Sequence, residues 1–265
     1  MKKIKNPLIR RIPKELIGDW KKYLVVFLFL VLTIGFVSGM YVANESMITS
    51  ANEGVTKYKQ EDGHFELKKQ ADATLLSAIE TGEKADFKAT KTTLYENFFR
   101  NEEEDYNNDG KKDGTIRVFA KTKDINLACM LQGSFPQKAD EIAIDRMHAD
   151  NVGIKVGDTV TVSGETYKVV GLLAYVNYST LHEKTTDLMF DALKFDVAMV
   201  TQDGFDRLHK SIHYTYAWKY ETEPADEAGE KTRSDNFMRA LLTQVVVADN
   251  ELEDYTPKYG NPAIN

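Results

Sequence analysis

An α+β domain carried on one N-terminal membrane helix is the fold that this 265-residue sequence predicts. Three observations lead there. Tyr23 to Val42 runs for twenty residues without a charge. The residues beyond it switch repeatedly between helix-like and strand-like apolar spacing. Lys155 to Leu173 alternates apolar and polar side chains around a tight turn, which is the pattern of a small β-barrel or hairpin module.

The charge-free run comes first. As a helix rising about 1.5 Å per residue it covers roughly 30 Å, the hydrocarbon thickness of a bilayer. Trp20 and Tyr23 stand at one edge and Tyr41 at the other, where amphipathic rings prefer the headgroup level. A cleaved signal peptide would also begin basic. Here the basic region is 22 residues long, the apolar run exceeds the usual ~7–15, and no small-x-small cleavage site follows. The run therefore reads as a signal anchor.

Charge sets its orientation. The chain holds 34 Lys+Arg against 41 Asp+Glu, a net charge of −7 that argues against a general nucleic-acid binder. Residues 1–22 carry eight of the basic side chains and two acids, which leaves 26 basic against 39 acidic in residues 23–265. The positive-inside rule then places residues 1–22 in the cytoplasm, 23–42 in the membrane and 43–265 outside. The single Cys129 excludes an internal disulfide framework and a cysteine-based zinc cluster. Gly35 and Gly39 form a G-x-x-x-G surface that suits close helix packing, although glycine is common in spans for other reasons.

The tail has a pattern of its own. Pro13 can open a helix, and Leu16, Ile17, Trp20, Tyr23 and Leu24 recur at helical spacing after it. Two readings stay open: basic residues that merely hold the topology, or an amphipathic helix that meets a cytosolic partner.

Outside the span, Asn44 to Gln60 is polar and free of proline, so the membrane helix can continue as a stalk. Gly63–Leu67 reads as a strand, and Leu67–Glu80 as a helix stopped by Thr81-Gly82. Thr92–Arg100, Thr115–Lys121 and Ile125–Leu131 are strand-like in composition. Phe195–Thr201 is a further strand, Asp203–Lys210 a short helix, Ile212–Glu221 a strand and Ser234–Gln244 a helix. In the β-rich module, placed at about 133–175, Gly157-Asp158 and Ser163-Gly164 supply the turns.

A family resemblance rests on the order of three segments: Asp140-Glu-Ile-Ala-Ile-Asp145, then Gly153-Ile-Lys-Val-Gly-Asp-Thr-Val160, then Tyr167-Lys-Val-Val-Gly-Leu172. Gly133-Ser-Phe-Pro136 precedes them and Tyr255-Thr-Pro-Lys-Tyr259 follows. With the basic tail and single span, this order resembles the extracytoplasmic core domain of FtsX/MacB-like ABC transporter permeases. The resemblance implies three further membrane helices after the domain. On that basis the sequence reads as the N-terminal part of a longer permease, or as a split or truncated one. It also implies a separate cytosolic ABC ATPase subunit as partner, along with further permease helices or a second permease copy.

Site chemistry is sparse. No G-x-x-x-x-G-K-[ST] phosphate loop occurs, and no G-x-S-x-G elbow positions a nucleophile. His209 and His213 are four apart, a spacing that suits two metal ligands on one helix face, but no third ligand accompanies them. Asp105, Asn107, Asp109 and Asp113 match positions 1, 3, 5 and 9 of a calcium loop, with Gly110 at position 6. Position 12 is Ile116 rather than a glutamate, so a solvated connection with Asn-Asp-Gly and Lys-Asp-Gly turns is the favoured reading. Glu102, Glu103 and Glu104 add negative charge beside it. No catalytic, cofactor-binding or metal-ligating set is assigned, and no cofactor is expected.

The expectation is therefore a plasma-membrane protein, not itself an enzyme, that couples a cytosolic ATPase to an external domain. Export or envelope mechanotransmission would be the outcome. The alternative is a stand-alone single-span protein whose external domain binds or regulates a cell-envelope partner.

Overall fold

The computed structural model describes residues 17–82, 92–178, 180–184 and 187–257. The basic tail up to residue 16, with Pro13 and Leu16, and the closing Lys258 and Tyr259 lie outside them. Two compact units divide the chain, Met1–Ala51 and Asn52–Asn265.

The first unit holds most of α1, Trp20–Lys57, which is long and apolar enough to cross a membrane. Phe27, Leu32 and Phe36 are 61, 70 and 71% exposed, so this apolar surface has no protein cover among the described residues. Thr33 donates its hydroxyl to the Phe29 carbonyl at 2.8 Å, which satisfies that polar group within the span. The 38 residues of α1 extend about 57 Å at helical rise, so the helix outruns the hydrocarbon layer.

The second unit is α+β, with two sheets. The smaller contains β1 (Gly63–Leu67), β2 (Thr92–Glu96), β10 (Tyr214–Tyr220) and β11 (Leu252–Pro257), ordered β11-β1-β10-β2 and antiparallel throughout. Two helices cover it, α2 (Ala73–Thr81) and α5 (Glu227–Val247). The Asp72 carboxylate caps α2 by accepting the Leu75 amide, and Gly82 ends it in the left-handed region at φ 61°. Asp226 caps α5 through Gly229. Phe65, Tyr216, Trp218, Phe237 and Leu241 form the buried layer between sheet and helices.

Gly63 lies directly opposite Trp218 in the β1–β10 ladder. A Cβ placed there would meet the indole ring at 2.2 Å. Gly63→Val should therefore force the ring aside and cost about 1–3 kcal/mol, read as a lower thermal midpoint of the full chain. An unchanged midpoint would show that the ring has room to move.

The larger sheet closes on itself. It takes β3 (Phe99–Asp105), β4 (Gly114–Ala120), β5 (Ala128–Gly133), β6 (Glu141–Asp145), β7 (Thr159–Val162), β8 (Glu165–Tyr175) and β9 (Phe195–Val200), ordered β5-β8-β6-β9-β4-β3-β7. Because β7 also pairs with β8, six strands form a ring and β5 lies against the far half of β8. β6 runs parallel to β8, and β4 parallel to β9; the other contacts are antiparallel. Ile116, Val118, Ile142, Ile144, Val160, Val162, Tyr167 and Val169 are alternate residues that fill the inside. The β7–β8 turn is at Ser163 and Gly164, with φ 48° and 88°, the positive values that a tight two-residue hairpin needs.

The module expected at about 133–175 is thus part of a barrel whose strands run from Phe99 to Val200. The strand expected over Thr92–Arg100 is divided. β2 joins the smaller sheet and β3 the barrel, with Asn97 bonded to the Thr215 carbonyl at the crossing. α3 (Arg146–Val152) and α4 (Gln202–Asp206) pack against the barrel.

Candidate functional site

Three ionisable side chains meet where α3 packs on the barrel. Glu104 is near the end of β3, Asp196 is the second residue of β9, and His148 lies on α3. All three are fully buried. The register explains two of them. Glu104 pairs with Val162 and Gly114, and Asp196 pairs with Ile116, so alternation turns both carboxylates to the side of the strands that carries the core. His148 arrives because Asp145 ends β6 and caps α3 through the Met147 amide at 2.7 Å.

Each group is held from outside the cluster. His148 Nδ1 is 2.8 Å from the Ala192 carbonyl, so Nδ1 carries a proton and donates it. Asp196 Oδ1 accepts the amides of Asp145 at 3.1 Å and Val197 at 2.7 Å. The remaining atoms face one another. His148 Nε2 is 3.3 Å from Glu104 Oε1, within ion-pair range but not aligned as a hydrogen bond. Glu104 Oε2 and Asp196 Oδ2 have no hydrogen-bond partner. One ligand atom from each residue lies within 4.8 Å of the others. Tyr106 covers the imidazole edge-on, with centroids 5.9 Å apart.

Burial alone would pull the His148 imidazole down, but the Asp196 and Glu104 carboxylates outweigh it and push it up to about 9. Burial pushes the Asp196 carboxyl well up, opposed by His148 and reinforced by Glu104 and Asp145. Asp145 is raised by burial too, against the amides that it caps. The cluster therefore requires positive charge to balance it, as protons or as a cation.

Sequence reasoning missed this site. Glu104 reads as one of three glutamates beside a loop, and His148 belongs to no motif. The one available signal was Asp196, a charge inside the strand Phe-Asp-Val-Ala-Met-Val. Of the residues that the sequence singled out, Glu104 joins the cluster, Asp105, Asn107, Asp109 and Asp113 come together in one loop, and His209 and His213 stand apart. The carboxylate of Asp105 accepts the amides of Asp109 and Gly110, and that of Asp113 those of Tyr106 and Asn107. Loop 105–113 is a set of side-chain-capped turns joining β3 to β4. His209 and His213 share no helix face: α4 ends at Asp206, and His213 bridges to Phe99, stacks on its ring at 4.5 Å and bonds Glu66 at 2.7 Å.

No protein-family model and no curated protein matches the sequence. Solved structures do match. The chain is similar to the extracellular domain of the noncanonic ABC-type transporter YknZ from Gram-positive bacteria. The identity is 14% and the TM-score 0.36, over 74% of this chain and 99% of that one. It is also similar to the periplasmic region of MacB from Actinobacillus actinomycetemcomitans, at 9% identity and a TM-score of 0.37, over 72% and 88%. Both matched structures are external regions, one of an ABC-type transporter and one of MacB.

Proposed function

We propose that this chain is the N-terminal part of an ABC transporter permease subunit, coupling a cytosolic ATPase to its external domain for export or envelope mechanotransmission. One observation supports the reading above others. The three segments that carry the family resemblance in sequence are adjacent in space: β6 runs parallel to β8, and β7 pairs antiparallel with β8. They build one wall of the barrel, in a domain preceded by a helix able to span a membrane.

In this reading the chain has no catalytic machinery of its own. ATP is hydrolysed by the cytosolic subunit, and the bilayer, further permease helices or a second permease copy complete the membrane part. In this reading residues 1–22 face the cytoplasm, 23–42 span the membrane and 43–265 lie outside.

Topology gives the first test. In a Cys129→Ser background, a cysteine at Lys3 should resist a membrane-impermeant thiol reagent in intact cells, and one at the exposed Glu223 should react. The reverse pattern would overturn the orientation and with it the coupling scheme. Affinity purification of the full chain from native membranes should bring down an ATPase with a phosphate-binding loop. Its consistent absence under crosslinking would favour the stand-alone single-span protein.

A further inference from the structure

We infer that Glu104, His148 and Asp196 form a buried binding site for one divalent metal ion of the zinc class where α3 packs on the barrel. The inference rests on the geometry of the second unit and is independent of the permease reading.

One donor atom from each of these three fully buried side chains lies within 4.8 Å of the other two. His148 Nε2 and Glu104 Oε1 are paired at 3.3 Å, while Glu104 Oε2 and Asp196 Oδ2 are left without a hydrogen-bond partner. Buried polar atoms almost always find one.

The outer contacts are also those of a metal site. A ligating histidine usually donates its second ring N–H to a carbonyl or carboxylate, and Nδ1 meets the Ala192 carbonyl at 2.8 Å. That bond leaves the Nε2 lone pair directed at the carboxylates. Asp196 is likewise oriented by two backbone amides on its other oxygen. Charge closes as well. Two carboxylates and a neutral imidazole carry −2, which one divalent ion cancels in a place where uncompensated charge costs several kcal/mol.

Donor type selects the metal. One imidazole nitrogen with carboxylate oxygens suits zinc, whose bonds to such atoms are about 2.0–2.2 Å. Donors already within 4.8 Å of one another reach those lengths by moving less than about 1 Å. Calcium takes 6–8 oxygens and accommodates an imidazole poorly. The ion would tie β3, β9 and α3 together and stabilise the folded state by binding it alone.

The test uses the full chain in detergent, stripped with chelator and dialysed against zinc. One zinc per chain should remain bound, with a higher thermal midpoint than the stripped protein. Glu104→Gln and Asp196→Asn should each weaken zinc binding by about 100-fold, since even supporting residues are worth about 10–100-fold. Asp109→Asn, in the 105–113 loop, should leave it unchanged. Cobalt(II) gives a reading on the unaltered chain, so the inference survives a variant that misfolds: the visible spectrum should be that of a low-coordinate N/O site. Wild-type chain that retains no zinc and shows no shift in midpoint would overturn the inference and leave a proton-balanced cluster. So would zinc binding that persists in both Glu104→Gln and Asp196→Asn, or binding lost in Asp109→Asn.

Discussion

Trp218→Ala should lower the stability of the second unit by about 3–5 kcal/mol, the range for large aromatic truncations in a packed core. Trp218 is fully buried at the middle of β10. Its ring lies 4.4 Å from Phe237 of α5 and 5.5 Å from Tyr255 of β11, and it covers Gly63 of β1. One side chain therefore joins three strands and the long helix above them. Truncation opens a cavity that the glycine beneath cannot fill, because Gly63 has no side chain to move into it. Trp218→Phe keeps an aromatic face against Phe237 and should cost clearly less. Chemical denaturation of the full chain in detergent, followed by far-UV circular dichroism, measures both. A loss below about 1 kcal/mol for the alanine variant would mean that the smaller sheet is held elsewhere.

Under the proposed function, deleting residues 7–14 should abolish external function in the full permease while leaving membrane insertion unchanged. Under the proposed topology, the tail is the one part of this chain that a cytosolic ATPase can reach. The Pro13 to Lys22 stretch is long enough to present a helix to it. A motor acts only through a surface that it contacts, so the expected effect is loss of co-purification with the ATPase together with loss of the external activity. Lys14 and Glu15 replaced together should reproduce part of it. Retention of both complex and activity after the deletion would reduce the tail to a topology signal, and coupling would have to pass through other membrane helices.

Some of this protein is written in local patterns. α1 is legible because lipid accepts no charge on any side, so Tyr23–Val42 is apolar all round rather than on one face. β1 and the end of α2 are legible because Gly63–Leu67 alternates and Gly82 must be left-handed to end the helix, whereas α2 begins at Ala73 rather than at the expected Leu67 because Asp72 caps it. The β7–β8 hairpin is legible because Ser163-Gly164 satisfies one turn geometry. The first turns of α5 are less so: residues 227–233 are largely polar and show no apolar period, and the helix starts there because Asp226 caps it.

Pairing across the chain is written nowhere locally. Thr92–Arg100 has one continuous β pattern, yet the backbone crosses from one sheet to the other at Asn97, because period-2 alternation does not say which strand will lie alongside. Closure of the barrel through β3, β7 and β8 has the same origin. The buried site shows the limit most clearly. A glutamate on β3, a histidine on α3 and an aspartate on β9 are ordinary solvated residues until three distant elements exclude water from them. The sequence by itself determined the span, the fold class and the hairpin, because these depend on side chains a few positions apart. Only the tertiary structure decided the barrel and the Glu104–His148–Asp196 cluster, because burial of a charge is a property of what surrounds it and not of its neighbours in the chain.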